Sequence, residues 1–278
     1  MLNANLIQKS LERDNAIVIA LLVLIIGASW MFILAGSGTG MSTFGMTSLT
    51  MALGLAERLP DALATPMVWT VRYTLVMFIM WWAMMIAMML PSAAPMILLH
   101  AKVDRGTRAS ATRADESLPT VMFIVGYLLA WGFFSAIATT LQWVFERSGL
   151  LSHTMMNSTN NMFAGIILLF AGLYQLSPVK QACLRQCQGP IQFFSKHWRC
   201  GPAGALRMGL RHGFYCLGCC WGLMSILFFG GIMNLYWIIG LALLVLLEKL
   251  IPVRRRLTSV IGGLLAVWGF WFIYSGIT

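Results

Sequence analysis

The sequence predicts an all-α fold: a polytopic membrane helix bundle of about seven transmembrane helices, with a cytoplasmic N-terminus and the C-terminus outside. Three observations support this prediction, namely the composition, the apolar windows and the placement of the basic residues. Of 278 residues, 59% are hydrophobic and 10% are charged, and the mean hydropathy is +0.79. Because soluble domains carry about a quarter charged residues, this composition indicates lipid surroundings. We expect a single integral membrane domain over residues 1–278.

Apolar windows of about 20 residues, each long enough to cross a hydrocarbon core of about 30 Å, recur seven times along the chain. The predicted spans are 16–35, 67–90, 119–144, 161–179, 208–229, 231–250 and 258–277. We expect the first span to be an uncleaved anchor, because its apolar run is too long for a signal peptide and lacks a convincing small-residue cleavage site.

Prolines and glycines punctuate the chain at several points. Pro91 and Pro95 are expected to break the backbone after the second span and to free carbonyl groups there. The pairs Gly189-Pro190 and Gly201-Pro202 are expected to divide the segment 180–207 into short pieces.

The basic residues indicate the orientation of the bundle. With a cytoplasmic N-terminus, 16 of the 19 basic residues fall on the inner side, and only Arg58, Arg72 and Arg147 fall outside. This distribution follows the positive-inside rule, so we expect a multi-pass protein of the bacterial inner (plasma) membrane. The net charge of +10 follows from this topology and from contact with anionic membrane lipids, and no nucleic-acid partner is expected.

All six cysteines fall on the predicted inner side, where a reducing cytosol favours free thiols over disulfides. Cys183 and Cys187 are four residues apart and can share a metal ion if their segment is helical. One helical face of the fifth span carries a larger set of candidate ligands, which are Met208, His212, Cys216, Cys219 and Cys220. Thiol, thioether and imidazole groups are the ligands that Cu(I) and Zn(II) favour. The alternative is packing, because a buried cysteine behaves as a small hydrophobe.

A row of methionines lies on the second span. Met77, Met80, Met84 and Met88 share one face, and Met85 and Met89 form a neighbouring row. Because this span runs inward, its last methionines reach the depth of the fifth-span cysteines. We therefore expect Met84 or Met88 to lie beside one of them. The alternative is that methionine fills irregular gaps between helices.

Two further features concern packing and charge. Glu248 and Lys249 end the sixth span, and we interpret the pair as an interfacial anchor whose lysine extends to the head groups. Two pairs of glycines, Gly209/Gly213 and Gly218/Gly222, lie on opposite faces of the fifth span. Small residues at this spacing let helices approach closely, so we expect the fifth span to be central.

Four segments carry a family resemblance: "WWAMMIAMMLPSAAP", "KQACLRQCQGPIQFF", "ALRMGLRHGFYCLGCCWGLM" and "MNLYWIIGLALLVLLEKLIP". Together they resemble a bacterial family of uncharacterised integral membrane proteins that is described as predicted metal-binding. The resemblance covers roughly residues 70–278 and is most specific in the His/Cys segment. It implies metal binding through the positions Met84, Met85, Met88, Met89, Cys183, Cys187, His212, Cys216, Cys219 and Cys220. Cys200 stands outside these motifs.

The predicted function is metal handling at a soft-metal site in the cytoplasmic half of the bundle. Its metal ligands are expected among Met84, Met88, Cys183, Cys187, His212, Cys216, Cys219 and Cys220. Copper as Cu(I) is the expected ion, with zinc or another soft metal left open. The protein would deliver the ion to a partner metalloenzyme or pass it across the membrane.

Two other classes of function remain. The alternative function is an accessory structural subunit that contacts other subunits of a larger membrane protein complex. An enzyme is the third class, and the sequence argues against it because it lacks a Ser/His/Asp set and a carboxylate cluster. No phosphate-binding loop is present either, so the chain alone is not expected to pump with ATP.

Overall fold

The computed structural model describes residues 2–37, 43–45, 47–48, 69–107, 113–152, 156–250 and 256–277. Over these residues the chain is helical, and its β-structure is an isolated antiparallel bridge between Leu151 and Ser158. The helices are α1 (Leu2–Leu34), α2 (Val71–Thr107), α3 (Arg113–Arg147), α4 (Asn161–Leu176), α5 (Pro178–Gln188), α6 (Pro190–His197), α7 (Pro202–Met224), α8 (Leu227–Gly230), α9 (Leu235–Leu250) and α10 (Arg256–Ile277). The predicted all-α class is confirmed.

Several helices have the length and composition of membrane spans. Among the described residues, five are long and apolar enough to cross a membrane: Ala16–Leu34, Val71–Gly106, Ser117–Arg147, Pro202–Gly230 and Leu257–Ile277. A sixth appears if α4 and α5, which meet at a bend of 62°, count as one span. Helix α9 has 16 residues and is therefore about 24 Å long, shorter than a full span. The count of seven and the orientation stay predictions.

The expected break at Pro91 and Pro95 is wrong, because α2 continues through both prolines to Thr107. A chain surrounded by lipid has no water to satisfy freed backbone groups, so continuing the helix costs less than ending it. The expected breaks at the Gly-Pro pairs are confirmed. Helix α6 begins at Pro190 and α7 at Pro202, each with proline in the first turn where its missing N–H costs nothing.

Helix α7 is central, as its glycines predicted. A Cβ atom on Gly209 would collide with the backbone of Phe123 in α3, and one on Gly213 would lie 2.5 Å from the Ala130 Cβ atom. On the other face, a Cβ atom on Gly218 would lie 2.8 Å from Cys183 Sγ, and one on Gly222 would lie 2.7 Å from the ring of Tyr174. These glycines let α3, α4 and α5 approach the cysteine-bearing helix, so its thiols lie inside the protein.

Candidate metal centre

Three helices bring sulfur atoms together in the core. Cys219 Sγ on α7 lies 3.9 Å from Cys187 Sγ on α5. Cys220 Sγ, also on α7, lies 3.8 Å from Met89 Sδ on α2. The cysteines of α7 are at most 1% exposed, and Met89 is fully buried. Two sulfur pairs therefore lie side by side, with one member of each on consecutive residues of α7.

The thiols of Cys219 and Cys220 are oriented by their own helix. Both donate to the carbonyl oxygen of Cys216, at 3.0 Å from Cys219 Sγ and 2.9 Å from Cys220 Sγ. Residues three and four positions apart lie on one face of a helix, so a single carbonyl can receive both thiols. The i, i+3 and i+4 spacing of the sequence thus becomes a common orientation of two candidate ligands.

Cys216 has a different environment, since its sulfur contacts a lysine. Lys249 Nζ on α9 lies 2.8 Å from Cys216 Sγ and 3.0 Å from Ser92 Oγ on α2. Tyr127 Oη on α3 lies 3.1 Å from the same sulfur and donates to the Met89 carbonyl oxygen at 3.1 Å. An ammonium group can only donate hydrogen bonds, so the Cys216 sulfur and the Ser92 hydroxyl both accept from Lys249.

The anchoring interpretation of Glu248 and Lys249 is wrong, because both side chains are buried. Lys249 is 8% exposed, and Glu248 forms an ion pair with Lys180 at 2.7 Å. Gln175 Nε2 also donates to Glu248 Oε1 at 2.5 Å. Consecutive residues of α9 therefore serve two clusters: Glu248 is neutralised by Lys180, while Lys249 extends to the sulfur atoms.

His212, which was predicted as a ligand, lies in an aromatic cluster one turn before Cys216. Its ring is stacked with Phe123 and Tyr127 at centroid distances of 6.1 and 5.7 Å, and Phe193 packs edge-on at 5.6 Å. It is 3% exposed, and its Nδ1 atom has no hydrogen-bond partner among the residues that the structure describes. The role of His212 as a ligand stays a prediction.

The other predicted ligands are distributed around the cluster. Met89 of the neighbouring row on α2 contacts Cys220 on α7, while Met84 and Met88 are buried on the same helix. Cys183 is half-buried and faces α7 beside Gly218. Ligand roles for these three residues stay predictions. Cys200 is exposed.

The arrangement does not resemble a closed structural metal site. Within the described part of the chain, no group of three or more His, Cys, Asp or Glu side chains is placed to hold one metal ion. A structural zinc site needs four ligands in a tetrahedron. The cluster instead consists of two sulfur pairs, Cys187–Cys219 and Met89–Cys220, and the second pair includes a thioether. These four residues are called the sulfur centre below.

The sulfur pairs have a spacing that a soft metal ion can bridge. An ion about 2.3 Å from each of two sulfur atoms requires these atoms to be no more than about 4.6 Å apart. The observed separations of 3.9 and 3.8 Å meet this condition. Thiol and thioether ligands favour soft ions, Cu(I) among them, so the donor set fits copper.

Sequence reasoning missed three contributors, Lys249, Tyr127 and Ser92. A signal existed for Lys249, since an ionisable residue inside an apolar segment is a functional candidate by default. Tyr127 and Ser92 stand singly in apolar helices, and nothing in their local sequence distinguishes them from packing residues.

Fold and site together define a class of protein: an all-helical chain with several long apolar helices and a buried cluster of thiols, a thioether and an ammonium group. A family model described as PpoB2, copper chaperone, matches residues 78–272. This match covers more than half of the chain, so the chain belongs to this copper chaperone family, and the expected metal-related family is confirmed. The matched range includes both sulfur pairs and Lys249. No curated protein and no solved structure is similar enough to count as a match.

Proposed function

We propose that this chain is a copper-handling membrane protein that receives Cu(I) as cargo at its buried sulfur centre and passes it to a partner metalloenzyme. The observation that carries the proposal is the convergence of sulfur atoms from α2, α5 and α7 at separations of 3.8 and 3.9 Å. Membership of a copper chaperone family supports the choice of metal. The bias of basic residues supports a bacterial inner membrane location with the centre in the cytoplasmic half.

The ligand set favours transfer over permanent retention. Two-sulfur coordination leaves positions around Cu(I) open, so an incoming thiol or thioether can bind before the first ligands leave. A closed four-ligand site offers no such position. This distinction supports a carrier of copper rather than a protein that uses the metal to hold its fold.

Passage of copper across the membrane is a second candidate for the same cargo. The observation that favours it is the row of buried thioethers on α2, which includes Met77, Met80, Met84 and Met88. Thioethers bind Cu(I) without carrying charge, so such a row offers weak sites along the helix. Copper uptake into sealed vesicles containing the protein distinguishes passage from delivery.

The test is Cu(I) binding by the full-length protein in detergent under reducing conditions. Cys219→Ser combined with Cys220→Ser removes one member of each sulfur pair, and we expect stoichiometric copper binding to be lost. Cys200→Ser is the matched control, because it changes an exposed thiol outside the cluster and should bind copper as the wild type does. Copper content is measured by elemental analysis after competition with a Cu(I) chelator.

Two outcomes contradict the proposal. Full copper binding by the double variant would move the site elsewhere in the chain, and absence of copper from the wild type would remove the copper-handling function. In the second case the accessory-subunit function takes its place, and co-purification of other membrane subunits becomes the next measurement.

A further inference from the structure

We propose that a pocket beside the first turns of α7 binds a phosphate group, carried either by a membrane lipid or by a small soluble ester. The pocket has a volume of about 220 Å³ and is lined by His197, Arg199, Arg207, Met208 and Arg211. We call it the arginine pocket. It shares no residue with the sulfur centre and its ligand is an anion, so the inference goes beyond the proposed function.

Two glycines shape the chain between α6 and α7 into one wall of the arginine pocket. Gly201 has a positive φ of 84°, which glycine adopts without a steric penalty. A Cβ atom on Gly204 would lie 2.8 Å from both the Cβ atom and the carbonyl oxygen of Arg199. The loop can therefore pack directly against the first turn of α7, and this contact holds Arg199 beside that helix.

Helices α6 and α7 provide the other walls. Arg207 and Arg211 are four residues apart on α7, so they share one face and lie about 6 Å apart along the helix axis. Met208 lines the pocket beside them and is 2% exposed. At the end of α6, the Nδ1 atom of His197 donates to the Phe193 carbonyl oxygen at 3.1 Å. This bond fixes the imidazole ring at the pocket wall.

The charges of the arginine pocket call for an anion. Arg199, Arg207 and Arg211 bring three guanidinium groups to one small space. Within the part of the chain that the structure describes, none of the three is paired with a carboxylate. Like charges at i, i+4 spacing destabilise a helix, and the third arginine adds to the repulsion. A bound anion would turn this repulsion into attraction.

The side chains and the volume favour a phosphate group among anions. A guanidinium group presents its N–H donors in a planar fork that matches pairs of phosphate oxygens. A carboxylate has only two oxygens, whereas a phosphate group can accept from several guanidinium groups at once. Pockets for drug-sized ligands have volumes of about 300–1,000 Å³. The smaller volume of 220 Å³ suits a lipid head group or a small ester better than a nucleotide.

The test must separate a defined pocket from general attraction, because basic residues near a membrane attract anionic lipids wherever they lie. Arg207→Gln combined with Arg211→Gln removes two charges from the pocket. The matched control is Lys102→Gln combined with Arg185→Gln, which removes the same charge from exposed residues outside the pocket on the same predicted side of the membrane.

Two probes distinguish the sources of the phosphate group. Metal-free, full-length protein in detergent is titrated with glycerol phosphate by calorimetry, and bound phosphatidylglycerol is measured by native mass spectrometry. We expect the pocket variant to bind the recognised probe at least about tenfold more weakly, because each charge-assisted hydrogen bond is worth about that factor. The control variant should stay within about twofold of wild type.

The outcomes are distinct. Binding of glycerol phosphate supports a soluble ester, and binding of phosphatidylglycerol alone supports a lipid head group. Failure of the wild type to bind either probe, or equal losses in the pocket and control variants, overturns the inference. If the pocket variant does not fold, Arg199→Gln in the loop before α7 replaces it, and wild-type affinity in that variant overturns the inference. No metal is present in these measurements, so their failure leaves the proposed copper function intact.

Discussion

Helices α2 and α3 contribute to two buried clusters, and the contacts that hold the side chains differ in strength between them. The first cluster lies where the end of α3 meets the start of α2. Glu146 Oε2 accepts from Trp69 Nε1 at 2.9 Å, and Glu146 Oε1 accepts from Gln142 Nε2 at 2.8 Å. Gln142 Oε1 in turn accepts from Trp81 Nε1 at 2.8 Å. Further along α2, Met89 belongs instead to the sulfur centre, and Ser92 contacts Lys249 beside it.

The strength of the contacts separates the two clusters. Indole, amide and carboxylate groups form directional hydrogen bonds, and removing one partner strands the other in the core. Thiols and thioethers are weak donors and acceptors, so contacts of 3.8 to 3.9 Å between them can be exchanged for metal bonds at small cost. The comparison teaches that the Glu146 cluster holds helices together while the contacts of the sulfur centre leave its candidate ligands available.

The largest expected effect concerns which side of the membrane each cluster faces. We predict that a reporter inserted near Gln192 is active on the cytoplasmic side and that one fused after Thr278 is active on the outer side, each in an all-or-none manner. An enzymatic reporter pair with opposite compartment requirements measures this. Reporters that give the reverse result at both positions would place the sulfur centre in the outer half and remove the reducing environment on which free thiols depend.

The next effect is on stability. Glu146→Ala removes the carboxylate that accepts from the donors of Trp69 and Gln142. We expect the free energy of unfolding to fall by about 1–3 kcal/mol. Copper stoichiometry should stay at the wild-type level. Thermal unfolding in detergent and elemental analysis measure the two properties. Thr140→Ala on the exposed side of α3 is the matched control, because among the described residues its hydroxyl bonds only the Ala136 carbonyl oxygen of its own helix. A stable Glu146→Ala protein that fails to load copper would contradict the division between the clusters.

The sequence was sufficient wherever local geometry decides the structure. The Gly-Pro pairs begin α6 and α7 because proline suits the first turn of a helix. Gly209 and Gly218 lie at close helix contacts because no other residue leaves room for a neighbouring backbone or side chain. The cysteines of α7 share a buried face because their spacing matches the helical repeat.

Packing between helices that are distant in the sequence determines the contact partners that local patterns do not specify. Met88 and Met89 differ by about 100° around α2, and only the rotation of that helix against α7 selects Met89 as the neighbour of Cys220. Lys249 was expected to reach the head groups, but its direction depends on Ser92 and Cys216, which are 157 and 33 residues away in the chain. No local pattern specifies contacts across such separations.

The smallest expected effect tests whether the thioether beside Cys220 is a ligand or only a packing group. We predict that Met89→Leu weakens Cu(I) binding about tenfold, equivalent to about 1.4 kcal/mol, because leucine fills the same space without a sulfur atom. Met85→Leu is the matched control on the same buried helix and should stay within about twofold of wild type. Both substitutions conserve volume, so unfolding midpoints should change little. Competition titration with a Cu(I) chelator measures the affinities, and equal affinities in the two variants would assign Met89 to packing, leaving copper to the cysteines alone.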